Sequence, residues 1–287
     1  MQNVNEVIEQ FKEALYNGLG YAPNTIIPDG VLHRFKDEKG KLSYWYNLHI
    51  DGRAAGVFGC WKTGVSIKWK LEGDFPPLSD QDRMNYRIER HRQDLTRKAE
   101  EQAKHDKAAK KALYIWEHSE PVTLHPYLTK KGIKPHNSRL NKGALVLPIY
   151  NKKQLVSLQF VNESGEKKML SGGLLKGSYC VLGHVETITP ESILLICEGW
   201  ATGCTLHDDT GFIVFVAFSA GNLKAVAIQV REHYPNHEII VCGDNDASSV
   251  GQLAANDAAL EIDGKVSIPP DLGDWNDYAL MLKGEQS

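Results

Sequence analysis

The sequence predicts an α/β protein, and three observations carry that reading. Short apolar runs at Ile193–Cys197, Phe212–Val216, Glu238–Cys242 and Lys265–Ile268 alternate with helical patterns in the carboxy-terminal part of the chain. Such alternation is the signature of a parallel sheet with right-handed crossovers. A charged stretch poor in apolar groups, residues 80–118, stands ahead of it, and before that residues 26–71 read as short strands broken by turn residues. The expected organisation is a small β-rich α+β domain over 1–75 and a charged helical connector over 79–118. A mixed α+β subdomain follows over 119–190, then a parallel-sheet module over 191–287.

The elements follow in order. Val4, Val7, Ile8, Phe11, Ala14 and Leu15 recur at helical spacing, with Asn3 and Glu6 at the start and Gly18 and Gly20 at the stop, so an amphipathic helix opens the chain. Turn signals at Pro28-Asp29-Gly30, Glu38-Lys39-Gly40 and Ile50-Asp51-Gly52-Arg53, with partial alternation from Tyr44 to Ile50, predict a small antiparallel sheet. His33, Arg34, Lys36, Lys41, Arg53, Lys62, Lys68 and Lys70 mix there with Tyr44, Trp45, Tyr46, Phe58, Trp61 and Trp69. Two readings stay open: aromatics filling a small core, or a stacking surface for single-stranded nucleic acid. After Pro76-Pro77 and the cap-like Ser79, interleaved Arg, Lys, Asp and Glu predict a solvated helix held by i,i+4 pairs.

Two strands, Ala144–Ile149 and Leu155–Val161, turn at Asn151, and a basic segment Gly165-Glu166-Lys167-Lys168-Met169 follows. The glycines of Gly172–Ser178 have phosphate-loop spacing, but no lysine follows Gly177, so this segment reads as a flexible turn before a strand at Tyr179–Leu182. In the last module the strand Ile193–Cys197 stops at Glu198-Gly199. Asn222 is the expected N-cap of a helix from Leu223 to about His233, and a further helix spans Ser249–Ile262. Every strand-to-helix loop of a parallel sheet lies along one edge, where ligands of open α/β sheets bind. That edge collects Glu198, Asp244, Asp246, Asp274 and Asp277. Carboxylates gathered so closely repel one another, which makes a hard divalent cation, Mg²⁺ or Mn²⁺, the natural partner and phosphate the natural substrate. Plainer readings exist for single residues: Asp246 with Ser248 as a helix cap, and Glu198 facing solvent at a strand end.

These residues also carry a resemblance. Cys197-Glu198-Gly199-x-x-Thr202, Asp244-x-Asp246, and Pro269-Pro270 followed by Asp274-x-x-Asp277 resemble the Toprim domain of DNA primases, topoisomerases and some nucleases. The flanks Ala220-Gly221-Asn222-Leu223 and Gly251-Gln252-x-Ala254-Ala255 look most like Toprim primases of phages, plasmids and integrated elements. His125-Pro126-Tyr127-Leu128-x-Lys130-Lys131-Gly132-Ile133 is similar to the amino-terminal half of such a primase core.

The resemblance implies a Rossmann-like Toprim fold and a DNA primase making short RNA primers from NTPs on single-stranded DNA, working with a separate replicative helicase. Glu198 would be the general acid or base, or would complete the metal shell. Asp244, Asp246 and Asp274 would hold Mg²⁺ or Mn²⁺, with Asp277 less fixed because the family spacing varies there. Arg139, Lys142, Lys152, Lys153, Lys167, Lys168 and Lys176 are the candidate template or nucleotide track. A Toprim nuclease and a non-catalytic, helicase-binding adaptor are the alternatives.

Composition sets the remaining bounds. The 287 residues are 42% hydrophobic and 24% charged with a net charge of -3, so any nucleic-acid contact must come from local patches rather than a basic whole. Cys60, Cys180, Cys197, Cys204 and Cys242 contain no Cys-x-x-Cys pair, which argues for reduced core thiols and against a zinc ribbon. No leader or membrane-spanning run is apparent, and the expected location is the cytoplasm.

Overall fold

The computed structural model describes residues 4–37, 39–50, 53–71 and 80–285. The start and turn signals at Asn3, Glu38, Asp51-Gly52, Pro76-Pro77 and Ser79 lie outside the described residues. The chain divides into two compact units, Met1–Glu89 and Arg90–Ser287.

In the first unit α1 (Val4–Leu19) buries Val7, Phe11 and Leu15, one helical face. Strands β1 (His33–Phe35), β2 (Tyr44–His49), β3 (Ala55–Cys60) and β4 (Ser66–Lys70) form an antiparallel sheet in that order. The Phe11 ring meets Tyr46, Phe58 and Trp69 edge-on at 5.9, 5.8 and 5.1 Å, so these aromatics build the core. Such edge-to-face contacts suit the ring quadrupoles and add to area burial.

The 38-residue helix α2 (Asp80–Glu117) spans the division. Its last turns are not solvated. Ala112 is fully buried, and Ile115 and Trp116 pack with it against Val146, Leu158 and Leu170. The expectation of a solvated connector is therefore corrected at this end, where short alanine side chains let the helix seat closely.

The sheet beneath it contains β5 (Glu120–Pro121), β6 (Arg139–Asn141), β7 (Ala144–Asn151), β8 (Gln154–Val161) and β9 (Lys167–Met169), antiparallel and in that order. Helix α3 (Pro126–Lys131) stands between β5 and β6. His125 caps it by accepting the Tyr127 N–H at 3.2 Å, and Gly132 closes it in the left-handed region. Val146 and Leu158 face α2, while Leu145, Leu147 and Val161 face the second layer, where Cys197, Trp200 and Cys204 meet them. Burial on both faces explains why β7 reads as a continuous apolar run.

That layer is a five-stranded sheet in the order β10-β12-β11-β13-β14: β10 (Cys180–Leu182), β11 (Ile193–Cys197), β12 (Ile213–Val216), β13 (Glu238–Cys242) and β14 (Lys265–Ser267). All neighbours are parallel except β10, which runs antiparallel to β12. Helix α4 (Trp200–Thr210) joins the core on one face, and α5 (Ala220–His233) and α6 (Val250–Glu261) cover the other. Helix α7 (Trp275–Glu285) closes the chain with Trp275 against the α4 side.

Two expectations are corrected here. Asn222 is not an N-cap: α5 starts earlier, after Ser219, and Asn222 lies in its first turn, 6% exposed. Its amide accepts from Gly177 N–H at 2.7 Å and donates to the carbonyls of Ser178 and Ala217, both at 2.9 Å. Nor is Gly172–Ser178 a free turn, because that amide pins its end. All five cysteines are buried free thiols. Among the described residues no helix is long and apolar enough to cross a membrane.

Candidate active site

The parallel strands deliver the acidic residues to one edge, as crossover geometry requires. Glu198 follows β11, Asp244 and Asp246 follow β13, and Asp274 and Asp277 open α7. Asn245, between the two aspartates, ties these loops together. It exchanges backbone hydrogen bonds with Gly273 at 2.9 Å each way, and its amide donates to Pro269 O at 3.0 Å. Gln252 Nε2 donates to the side-chain Oδ1 of Asn245 at 2.8 Å. This residue, which sequence reasoning passed over, brings Asp274 beside Asp244.

Asp244 is the electrostatic centre. Its Oδ1 is buried with no hydrogen-bond partner. Burial first, then the charges of Glu198 and Asp274, push its carboxyl up to about 7, with Lys167 pulling the other way. Burial also raises Glu198, against the Ala220 N–H and the Lys167 charge, which favour the carboxylate. Glu198 O accepts from Phe218 N–H at 2.8 Å, and Phe218 takes a positive φ of 66°, a costly conformation for a bulky residue and a common companion of functional sites.

Asp246 has a different environment. The Ser248 hydroxyl donates to it, as do the backbone N–H groups of Ser248 (2.8 Å), Val250 (3.3 Å) and Gly251 (2.7 Å). These donors hold its carboxyl below the usual range, the Ser248 hydroxyl foremost. Neither Asp246 nor Ser248 is the N-cap of α6, which is Ser249, but Asp246 accepts the helix's first two N–H groups from three residues ahead of that cap, while remaining close enough for its charge to raise Glu198 and Asp244. A Cβ at Gly251 would stand 2.9 Å from Asp246 Oδ2 and 2.7 Å from Asp244 O, so only glycine permits this approach.

Asp277 is engaged by a cation. Lys131 Nζ lies 2.8 Å from Asp277 Oδ1 and 4.0 Å from Asp274 Oδ2. Burial pushes the Asp277 carboxyl up, but the ammonium outweighs it and holds the group below its ordinary value. Asn276, 2% exposed, donates to Lys131 O and Thr205 Oγ1, both at 2.8 Å, and so fixes α3 against α7 and α4. Tyr127 is pushed up to about 12 by burial, then by the charge of Asp274. Lys131 belongs to the site although it was read only as part of a local segment; its contact is 146 residues away in sequence.

The basic residues separate. Lys167 is the cation felt by both Glu198 and Asp244. It pairs across the sheet with Val161, and Val161 with Leu145, which puts it toward the same end of the strands as Lys142 in the β6–β7 turn. Lys152 and Lys153 occupy the β7–β8 turn at the opposite end of that eight-residue strand, roughly 25 Å away at ~3.3 Å per residue. A single track through all seven is not formed. Lys168 pairs with Glu166 at 3.2 Å. Arg139 lies 4.4 Å over the Trp116 ring and donates to its carbonyl at 2.6 Å, so it anchors α2. Lys176 is exposed just before the pinned Gly177.

The edge offers hard oxygen donors and an orphaned buried carboxylate oxygen at Asp244, which is the chemistry of a Mg²⁺ or Mn²⁺ site. Among the described residues no three His, Cys, Asp or Glu side chains converge tightly enough to hold an ion. The reason is visible in the contacts: Asp246 is engaged by α6 and Asp277 by Lys131. Glu198 and Asp244 fit the group, whereas Asp246, Asp274 and Asp277 must leave present partners to join.

The Toprim domain family matches residues 193–285. Two Escherichia coli proteins named DNA primase TraC are 29% and 28% identical, each over 91% of this chain. The alignments span 26% and 19% of those proteins, so the chain covers about a quarter or less of the length of the curated relatives it matches. The Aquifex aeolicus primase (zinc-binding and RNA polymerase domains) is 14% identical with a TM-score of 0.45 over 100% of this chain and 84% of that one, too loose a likeness to carry an argument. Residues 193–285 are thus a Toprim domain, carried by a chain whose sequence is similar to DNA primases over nine-tenths of its length.

Proposed function

We propose that this chain is a DNA primase that joins NTPs into short RNA primers on single-stranded DNA, its chemistry carried by the acidic edge of the Toprim domain. The observation that carries the reading is Asp244: a half-buried carboxylate with its Oδ1 enclosed and unpartnered, beside Glu198 and Asp274 and faced by Lys167, in a chain similar to DNA primases. Asp244 and Asp274 would hold Mg²⁺ or Mn²⁺ on closing together, with Asp246 joining them on leaving α6. The ion, when bound, supplies neutralisation of triphosphate charge.

The chain's own groups do the rest. Glu198, with its raised affinity for a proton, accepts the proton of the attacking 3′-hydroxyl as the hydroxyl oxygen bonds to the α-phosphorus of the NTP and the α–β phosphoanhydride bond breaks, releasing pyrophosphate. Lys167 holds a template or triphosphate phosphate against the edge, and orientation of the two reactants there supplies much of the rate. Lys131 releases its carboxylates and becomes available to phosphate. The partners under this reading are the template, NTPs and a separate replicative helicase.

The test is primer synthesis. Protein given single-stranded DNA, NTPs and Mg²⁺ or Mn²⁺ should yield short oligoribonucleotides, and Glu198→Gln should abolish them while leaving DNA binding intact. Template degradation without NTP incorporation would identify a nuclease instead. No nucleotide chemistry with either metal, across varied templates and with a helicase supplied, would identify an adaptor.

A further inference from the structure

The first unit presents a sheet face that its helix does not cover. Cross-strand register assigns the sides, because directly opposed residues share a face. Tyr46, Leu48, Phe58, Ile67 and Trp69 meet α1. The reverse face carries Arg34 opposite Trp45, Trp45 opposite Gly59, Gly59 opposite Ser66, Val57 opposite Lys68 and Ala55 opposite Lys70. Arg34, Lys68 and Lys70 are exposed, and the two lysines have no ion-pair partner among the described residues.

Two indoles lie on this open side. Trp45 and Trp61 pair with ring centroids 5.4 Å apart and tilted by 34°, and neither joins the α1 core. Trp61 is 59% exposed, and its backbone N–H donates to Ser43 O at 2.9 Å, which ties the start of the β3–β4 turn to the strand beside it. Trp45 lies across the strand opposite Gly59, where a Cβ would come within 2.8 Å of the indole. The glycine therefore keeps the ring flat on the sheet. Trp61 is exposed and Trp45 half-buried beneath it, so the pair leaves apolar ring surface in water. Set near the exposed Lys68 and Lys70, and near Arg34, whose guanidinium also donates to Leu42 O at 2.8 Å, it matches what single-stranded nucleic acid needs: π-faces for unstacked bases and positive charge for the backbone.

We propose that the open face of the β1–β4 sheet binds single-stranded nucleic acid, stacking bases on the Trp45–Trp61 pair and seating phosphates on Arg34, Lys68 and Lys70. The charge complementarity favours this occupant over an apolar protein surface. The site needs neither the metal nor the acidic edge, so it stands apart from the primase reading.

The test uses the full chain without metal or NTPs, with fluorescence anisotropy of labelled oligothymidylate and oligouridylate. Trp61→Ala should weaken binding about tenfold and Trp61→Tyr should restore most of it, as base stacking on an aromatic ring predicts. Lys68→Ala with Lys70→Ala should reduce the slope of log affinity against log salt by about 1.4, at ~0.7 per phosphate contact on single strands. All three positions are at the surface, and matching melting curves would show that the fold is kept. Wild-type affinity and slope in these variants, as expected of a face that docks an acidic protein, would overturn the proposal. If Lys167→Ala with Lys168→Ala alone lost binding, the proposal would likewise fall while the primase reading stood.

Discussion

Replacing Asp244 with Asn should stabilise the protein in a pH-dependent way. The carboxyl binds its proton more tightly when folded than the ordinary 3.8, at about 7. The folded protein therefore holds more protons than the unfolded chain between these values, and stability falls as pH rises from about 4 to about 7. At about 1.4 kcal/mol per tenfold in proton affinity the ceiling is ~4 kcal/mol. Asp244 is only partly buried, and solvent screening brings the expected gain for Asp244→Asn to about 1–2 kcal/mol at pH 8. For a unit of this size that is a Tm increase of about 3–6 °C. At pH 4 the two proteins should melt together. Mn²⁺ should raise the wild-type Tm by binding the folded state and should raise that of the variant far less. Thermal melts at several pH values, with and without Mn²⁺, check each arm. A variant that melts at or below wild type at pH 8, or that gains as much at pH 4, would refute the argument that buried like charge dominates this edge.

Lys131→Met removes the ammonium that occupies Asp274 and Asp277, so Mn²⁺ should bind several-fold tighter in titrations followed by electron paramagnetic resonance; unchanged affinity would mean the lysine does not compete with the ion. Gly251→Ala should push against Asp246 and cost about 1–3 kcal/mol in urea denaturation, as expected when a buried or capping hydrogen bond is lost; a neutral result would show that Asp246 moves freely. Trypsin should cut α2 after Arg92, Arg97 or Lys98 before Lys110 or Lys111, because Ala108 and Ala112 seat only the later turns; mass spectrometry of early fragments decides, and first cuts after Lys110 would contradict the packing.

The sheet of the Toprim domain was legible because its strands are buried on both faces and bounded by acidic or glycine turns. Ile193–Cys197 and Glu238–Cys242 need no context beyond themselves. The docking of α2 was hidden because alanine at 108 and 112 contributes little to an apolar pattern, yet its small size is what permits close packing. The mixed aromatics of the first unit could be divided only by register: Trp69 points to the core and Trp45 away from it, a distinction of one strand face. Lysines on one antiparallel sheet looked like a track in sequence, but turns at the two ends of β7 hold Lys142 and Lys152 apart. The acidic residues were each visible. That Asp246 is engaged by α6 and Asp277 by Lys131 was not, since both facts depend on contacts outside the motifs.

The side chain of Asn222 also orders events in time. It satisfies one N–H and two carbonyls from segments on either side of β11, so the loop before β10 cannot settle until β12 and the first turn of α5 exist. Strand β10 precedes both in the chain but pairs with β12, which makes it a late arrival at the edge of a sheet whose centre lies downstream. Non-local pairing of this kind slows folding. During synthesis the β6–β9 sheet would emerge first and wait, its face toward Trp200 open, until the Toprim domain was complete.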